Sequence, residues 1–154
     1  MYNTLLFLSR NTFFYKIVKL QDSFETRLYL MFFHCALMMI GFKKRGKIFD
    51  QKSYDSLFHS IENDLRELGF GDVSVNKKMK EFNKVLYDIV LKIEDQSHKE
   101  FRLNRSLILS YFNDLDASDN EKYSKFENYF INFYNFCFEL PVNNVIKDSI
   151  KFSN

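Results

Sequence analysis

A chain of 154 residues is one domain by length and long enough to bury a core of its own. One proline and four glycines leave too few turns for a β-sandwich or barrel, and a net charge of +2 is too small to mark a nucleic-acid protein by bulk charge alone. The two cysteines, Cys35 and Cys137, lie far apart inside apolar runs with no CxxC or zinc-type spacing, which reads as buried thiols in a reducing compartment.

Residues 1–20 carry Arg10, Lys16 and Lys19 and no acid. Such a start fits organellar import or a membrane-surface helix. The apolar run Leu5–Leu8 is too short for a secretory core, so an ordinary first helix is expected. Asp22-Ser23-Phe24-Glu25 reads as a capping box with Asp22 as the cap. From Phe24 to Phe42 the chain is apolar on nearly every helical face, interrupted by Arg27 and His34. That falls short of a membrane span and belongs at the centre of a bundle. Lys43, Lys44, Arg45 and Lys47 follow as a basic loop around Gly46. Asp50 caps the next helix, with Phe49 and Tyr54 placed as a hydrophobic staple. Tyr54, Leu57, Phe58, Ile61, Leu65 and Leu68 recur at helical spacing as its buried side.

Two of the four glycines, Gly69 and Gly71, stand one residue apart at the end of that helix. If the helix ends at Leu68, Gly69 takes the left-handed position that follows, and Phe70 folds back onto Leu65. Asp72 or Ser74 then caps the next helix. Arg66 suits the helix C-terminus and Glu67 does not, so Glu67 is expected to have another partner. Asp64 and Glu67 share a helix face, where Arg66, Lys77 and Lys78 favour ion pairing over paired-carboxylate chemistry. Beyond the corner, Val75, Met79, Phe82, Leu86, Ile89 and Ile93 form an apolar stripe, with Lys77, Lys78, Lys80 and Lys84 on the other faces. Ser97-His98-Lys99-Glu100 and Ser118-Asp119-Asn120-Glu121 read as capping boxes for two further helices, the second stopped at Pro141, and a short helix closes the chain over residues 142–150. The expectation is an all-α, single-domain bundle of six to seven helices over residues 1–154, without linker or repeat.

There is no phosphate loop, HExxH, nucleophile elbow or dinucleotide fingerprint, so neither catalysis nor a cofactor is expected. His34, His59 and His98 fall on three different predicted helices. His34 reads as a core histidine, with haem or metal ligation as the alternative. The chain holds 19 Phe and 9 Tyr with no Trp. These rings either fill a phenylalanine-rich core or leave an exposed apolar patch for a partner.

Three blocks resemble the ubiquinol–cytochrome c chaperones, assembly factors for cytochrome b in mitochondria and related bacteria. Phe14-Tyr15, then Asp22 and Arg27, is similar to that family's FY…DT…GRF stretch, with Ser23 for its usual Thr and Thr26 for its usual Gly. His34, followed by Leu37 and Met38, resembles its LH-containing helix. The run Asp64-Leu65-Arg66-Glu67-Leu68-Gly69-Phe70-Gly71-Asp72-Val73-Ser74-Val75, with Lys77, Lys78, Met79 and Lys80, resembles its LREMGVGDLSV…K signature and is the most specific of the three. The likeness covers residues 10–95 and leaves the C-terminal helices, 96–154, unmatched. The family's aromatic-Tyr-Gly-Arg run survives only as Leu86-Tyr87-Asp88-Ile89, without its Gly and Arg.

The resemblance implies a non-catalytic chaperone that binds newly made cytochrome b and assists assembly of the ubiquinol–cytochrome c reductase (bc1) complex. It implies partner-binding roles for Asp22, Arg27, His34, Asp64, Arg66, Glu67, Gly69, Gly71, Asp72, Lys77, Lys78 and Lys80. The further partners it allows are a ribosome surface, a small partner subunit and a peripheral membrane contact, with no DNA and no cofactor. The place of action would be the bacterial cytoplasm, at the inner-membrane surface, or the mitochondrial matrix in a eukaryote. A second reading is an RNA or ribosome adaptor using the basic loop 43–47 and the basic helix 77–84, with binding that falls steeply with salt. A third, the weakest, is haem binding through His34.

Overall fold

The long apolar run becomes the axis of the bundle because no face of it can be left in water. The computed structural model describes residues 1–115 and 118–154, and among these α2 spans Phe24–Lys44 and is buried without interruption from Leu30 to Met38. Against it pack α1 (Tyr2–Ser9), α4 (Asp72–Lys92) and α6 (Asn120–Glu139), while α3 (Gln51–Glu67) lies on α4 and α1. The short α5 (Arg105–Tyr111) and α7 (Val145–Asp148) complete seven α-helices among the described residues, and α7 is flanked by 3₁₀ turns at Val142–Asn144 and Ser149–Lys151. The described residues contain no strand beyond an isolated antiparallel bridge between Glu94 and Leu103. None of their helices is long and apolar enough to cross a membrane. The protein is an all-α bundle, as its sequence pattern predicts.

Local chemistry sets the helix starts, and those of α2, α4 and α6 differ from expectation by one residue. α2 is capped by Ser23, whose hydroxyl accepts the Thr26 amide at 3.2 Å, while Asp22 is free to pair with Arg27. α6 is capped by Asp119, which accepts the Lys122 amide at 3.1 Å. Asp50 caps α3 as expected, accepting the amides of Lys52 and Ser53. Phe49 sets its ring edge-on to Phe42 and Tyr54 stacks on Phe58. The helix expected from Ser97 begins only at Arg105. Ser97 turns its amide and hydroxyl back onto the Asp95 carboxylate, at 3.0 and 2.7 Å, a local bond that competes with helix formation. Asn104 is the cap actually used, accepting the Leu107 amide at 3.2 Å.

The aromatic excess fills the interior. Among the described residues Phe7 and Phe70 are the only exposed phenylalanines and Tyr87 the only exposed tyrosine. Phe126, Tyr129, Phe130 and Phe133 of α6 interleave with Phe33 and His34 of α2 and with Phe14, which a π-helical turn at Phe13–Ile17 delivers from the N-terminal arm. Edge-to-face and offset ring pairs add to simple area burial in such a cluster. Cys35 and Cys137 are buried free thiols, pushed up to about 12 by burial.

Candidate functional site

Everything at the α3–α4 corner follows from one left-handed residue. Gly69 has φ +95°, and its amide bonds the Arg66 carbonyl at 3.0 Å while the Phe70 amide bonds Leu65 at 3.2 Å, the paired closure of a Schellman ending. Backbone alone therefore terminates α3. Asp72 is not the cap of α4: Gly71 holds that position without a side chain, and Asp72, the first helical residue, reaches back to Arg66. Arg66 also bonds Glu62 at 3.0 Å, one turn earlier. Phe70 is turned outward, with the Lys78 ammonium 5.0 Å from its ring centre.

On the other side of the corner, α1, α2 and α3 enclose a cleft of about 330 Å³. Leu6, Leu28, Met31 and Ile61 form its apolar floor, and Leu68, expected on the buried stripe of α3, is instead 58 % exposed at its mouth. Its walls are charged: Arg10 and Arg27 come from the N-terminal side, and Asp64 and Glu67 from α3. Asp64 accepts a 2.5 Å hydrogen bond from the Tyr2 hydroxyl. Burial first, and then Asp64, push that phenol above its ordinary range, so Tyr2 stays a donor. Arg27 is held by Asp22. Among the described residues Glu67 and Arg10 have no ion-pair partner, so the local partner expected for Glu67 is absent there.

Of the residues the sequence nominates, Arg27, Asp64 and Glu67 thus meet in one cleft, with Asp22 behind Arg27. Arg66, Gly69, Gly71 and Asp72 form the corner that positions it. Lys77 and Lys80 lie elsewhere, bordering a shallow groove on α4 with Val73 and Lys84. His34 is the core histidine that its apolar surroundings suggest, and not the partner-binding residue that the resemblance implies. It is wholly buried, and its Nδ1 donates to the Leu30 carbonyl at 2.6 Å while its Nε2 accepts from the Tyr129 hydroxyl at 3.0 Å. Burial lowers it to about 3. Both nitrogens are used inside the core, so His34 meets no partner surface and has no free nitrogen for haem. The basic loop is likewise partly internal. Lys44 bonds Glu94 at 2.7 Å and the Tyr134 hydroxyl at 3.0 Å, and Arg45 donates to the Cys137 and Leu140 carbonyls that end α6.

Tyr2, Leu6 and Arg10 line the cleft, although their sequence context does not single them out. Tyr2 and Asp64 stand 62 residues apart, so no local spacing joins them. The acid-free basic N-terminus was the available signal for Arg10. Residues 16–131, well over half of the chain, match the family model described as Ubiquinol-cytochrome C chaperone. The chain belongs to that family. The match takes in α2, the corner and α4, and continues into α6, beyond the residue 95 at which the resemblance in sequence ends. No curated protein and no solved structure matches the chain. Membership supports a chaperone role with a protein client.

Proposed function

We propose that the protein is a non-catalytic chaperone that holds newly made cytochrome b for assembly into the bc1 complex, and that the cleft between α1, α2 and α3 is where it grips the client. The supporting observation is the convergence of Arg27, Asp64 and Glu67 around an apolar floor, with Leu68 displayed at the mouth. A volume of about 330 Å³ takes one or two side chains rather than a whole helix. The grip is therefore an apolar anchor flanked by polar contacts, as in other helix-recognition surfaces. Glu67 and Arg10, unpaired within the described residues, give the docked segment a direction.

Capture of the tagged protein from cells making cytochrome b tests this. Wild type recovers cytochrome b, and Leu68→Asp and Glu67→Lys, both at exposed positions, recover less than about a tenth as much, since a desolvated anchor is commonly worth more than 1.4 kcal/mol. Wild-type recovery by both variants would remove the cleft from the mechanism.

In the ribosome-adaptor reading the main surface is the Lys77–Lys80–Lys84 face of α4 beside the exposed Val73, with Lys43 and Lys47 of the basic loop exposed as well. Contact through that face weakens steeply as salt rises, whereas capture in the apolar-floored cleft does not.

A further inference from the structure

The end of the bundle where α2 turns toward α3 carries a surface that the cleft does not use. From Lys43 to Phe49 the chain has four cations and no acid. Gly46, at φ +67°, turns the backbone with nothing within 4 Å of where a side chain would begin, so the tip of the turn faces open space. Lys44 and Arg45 are committed inward, as described above. Lys43 and Lys47 are exposed, and among the described residues they form no ion pair. Beside them Ile48 is 95 % exposed and Leu91 80 % exposed. Lys43, Lys47 and Leu91 border one groove of about 580 Å³ whose floor is Met39, Ile40 and Val90. Glu94, the acid in that groove, is neutralised by Lys44 at 2.7 Å.

Aliphatic tips held in water among unpaired lysines are a poor arrangement for an isolated protein and a good one for an interface between water and lipid. We propose that this turn docks the chaperone on an anionic membrane surface, with Ile48 and Leu91 entering the boundary between headgroups and acyl chains and Lys43 and Lys47 meeting lipid phosphates. Nucleic acid fits less well. Bases stack on aromatic faces or guanidinium planes; here Phe49 is partly buried with its ring edge-on to Phe42, and the one guanidinium of the turn, Arg45, lies 4.7 Å from the Phe138 ring centre with its donors on backbone carbonyls. Exposed Ile48 and Leu91 would gain nothing from a phosphate backbone. The surface shares no residue with the client cleft, so either can fail without the other.

Flotation of the full chain with vesicles of phosphatidylcholine, alone or mixed with phosphatidylglycerol, tests the proposal. The protein floats only with the anionic vesicles. Lys43→Gln combined with Lys47→Gln lowers the partition coefficient about 25-fold, at about fivefold per lysine. Ile48→Ser combined with Leu91→Ser, which leaves the charge unchanged, lowers it by at least about tenfold. All four side chains are solvent-facing, so thermal melts should match wild type and a loss of binding is not a loss of fold. No flotation with anionic vesicles overturns the proposal, and so does undiminished flotation of the Ile48/Leu91 variant. Binding of a single-stranded RNA oligonucleotide that needs the lysines but not Ile48 and Leu91, without vesicle binding, overturns it in favour of nucleic acid.

Discussion

The α2–α6 interior and the α3–α4 corner are both fixed by a few residues, yet they treat polar groups in opposite ways. In the interior, His34 spends both ring nitrogens on Leu30 and Tyr129 and is ringed by Phe14, Phe130 and Phe133. Nothing there is left over for a partner. At the corner, backbone hydrogen bonds around Gly69 end the helix, so the neighbouring side chains are not needed for that task. Leu68, Phe70 and Val73 are exposed and Glu67 faces a cleft. The difference separates what specifies the bundle from what the bundle displays.

The sharpest contrast is in stability. Phe130→Ala empties a site that touches five aromatic neighbours, Phe14, Phe33, His34, Phe126 and Tyr129, and is expected to cost about 3–5 kcal/mol. Leu68→Ala, at the mouth of the cleft, stays within about 0.5 kcal/mol. Denaturant melts of the two variants check this, and similar costs would erase the distinction between the regions.

Acid probes the same interior next. Folding holds His34 near 3 against an ordinary value of 6.5, so below pH 6.5 the unfolded chain takes up a proton that the native state refuses. Stability is therefore complete above pH 6.5 and falls as pH drops, by about 1.4 kcal/mol per unit from this residue alone. Asp50, Asp88 and Asp95, whose carboxyls lie below the ordinary carboxylate value of 3.8, contribute only at lower pH, and comparison with a His34 variant between pH 6.5 and 5 separates this histidine from His59 and His98. His34→Gln should flatten the slope in that window whatever it does to the absolute stability. A slope that persists in the variant would assign the titration elsewhere.

The fold was legible because its signals are local. The mostly apolar run Phe24–Phe42, the Asp50 cap and Gly69 each act through neighbours in sequence, and each does in the structure what its spacing predicts. The misplaced starts at Asp22, Asp72 and Ser97 share one cause. Short polar side chains have several backbone and charged groups within reach, and only the packed structure chooses among them: Arg27 takes Asp22, Arg66 takes Asp72, and Asp95 takes Ser97. The cleft was half legible. Arg27, Asp64 and Glu67 could be nominated, but Tyr2, Leu6 and Arg10 join them only because α1 packs against both α2 and α3. His34 shows the reverse case: the apolar run already reads it as a core histidine, and burial on all sides of α2 leaves no face for the partner role that the resemblance implies.

The two glycines of the corner sharpen the comparison by the smallest effect. Gly69, at φ +95°, has open space where a side chain would go, so Gly69→Val is penalised by backbone conformation and not by collision. A β-branched residue there should cost about 1–2 kcal/mol and tilt α3 against α4, reducing client capture together with stability. Gly71 differs: at φ −78° and ψ 168° it occupies a region open to any residue, again with nothing within 4 Å. Gly71→Ala loses a little cap preference and gains a stiffer unfolded chain, leaving stability within about 0.5 kcal/mol. Its melt and its client capture then separate two roles. If capture falls while the melt holds, the bare backbone at Gly71 serves close approach by the partner. If both are unchanged, the corner needs only Gly69, and Gly71 contributes nothing to the grip.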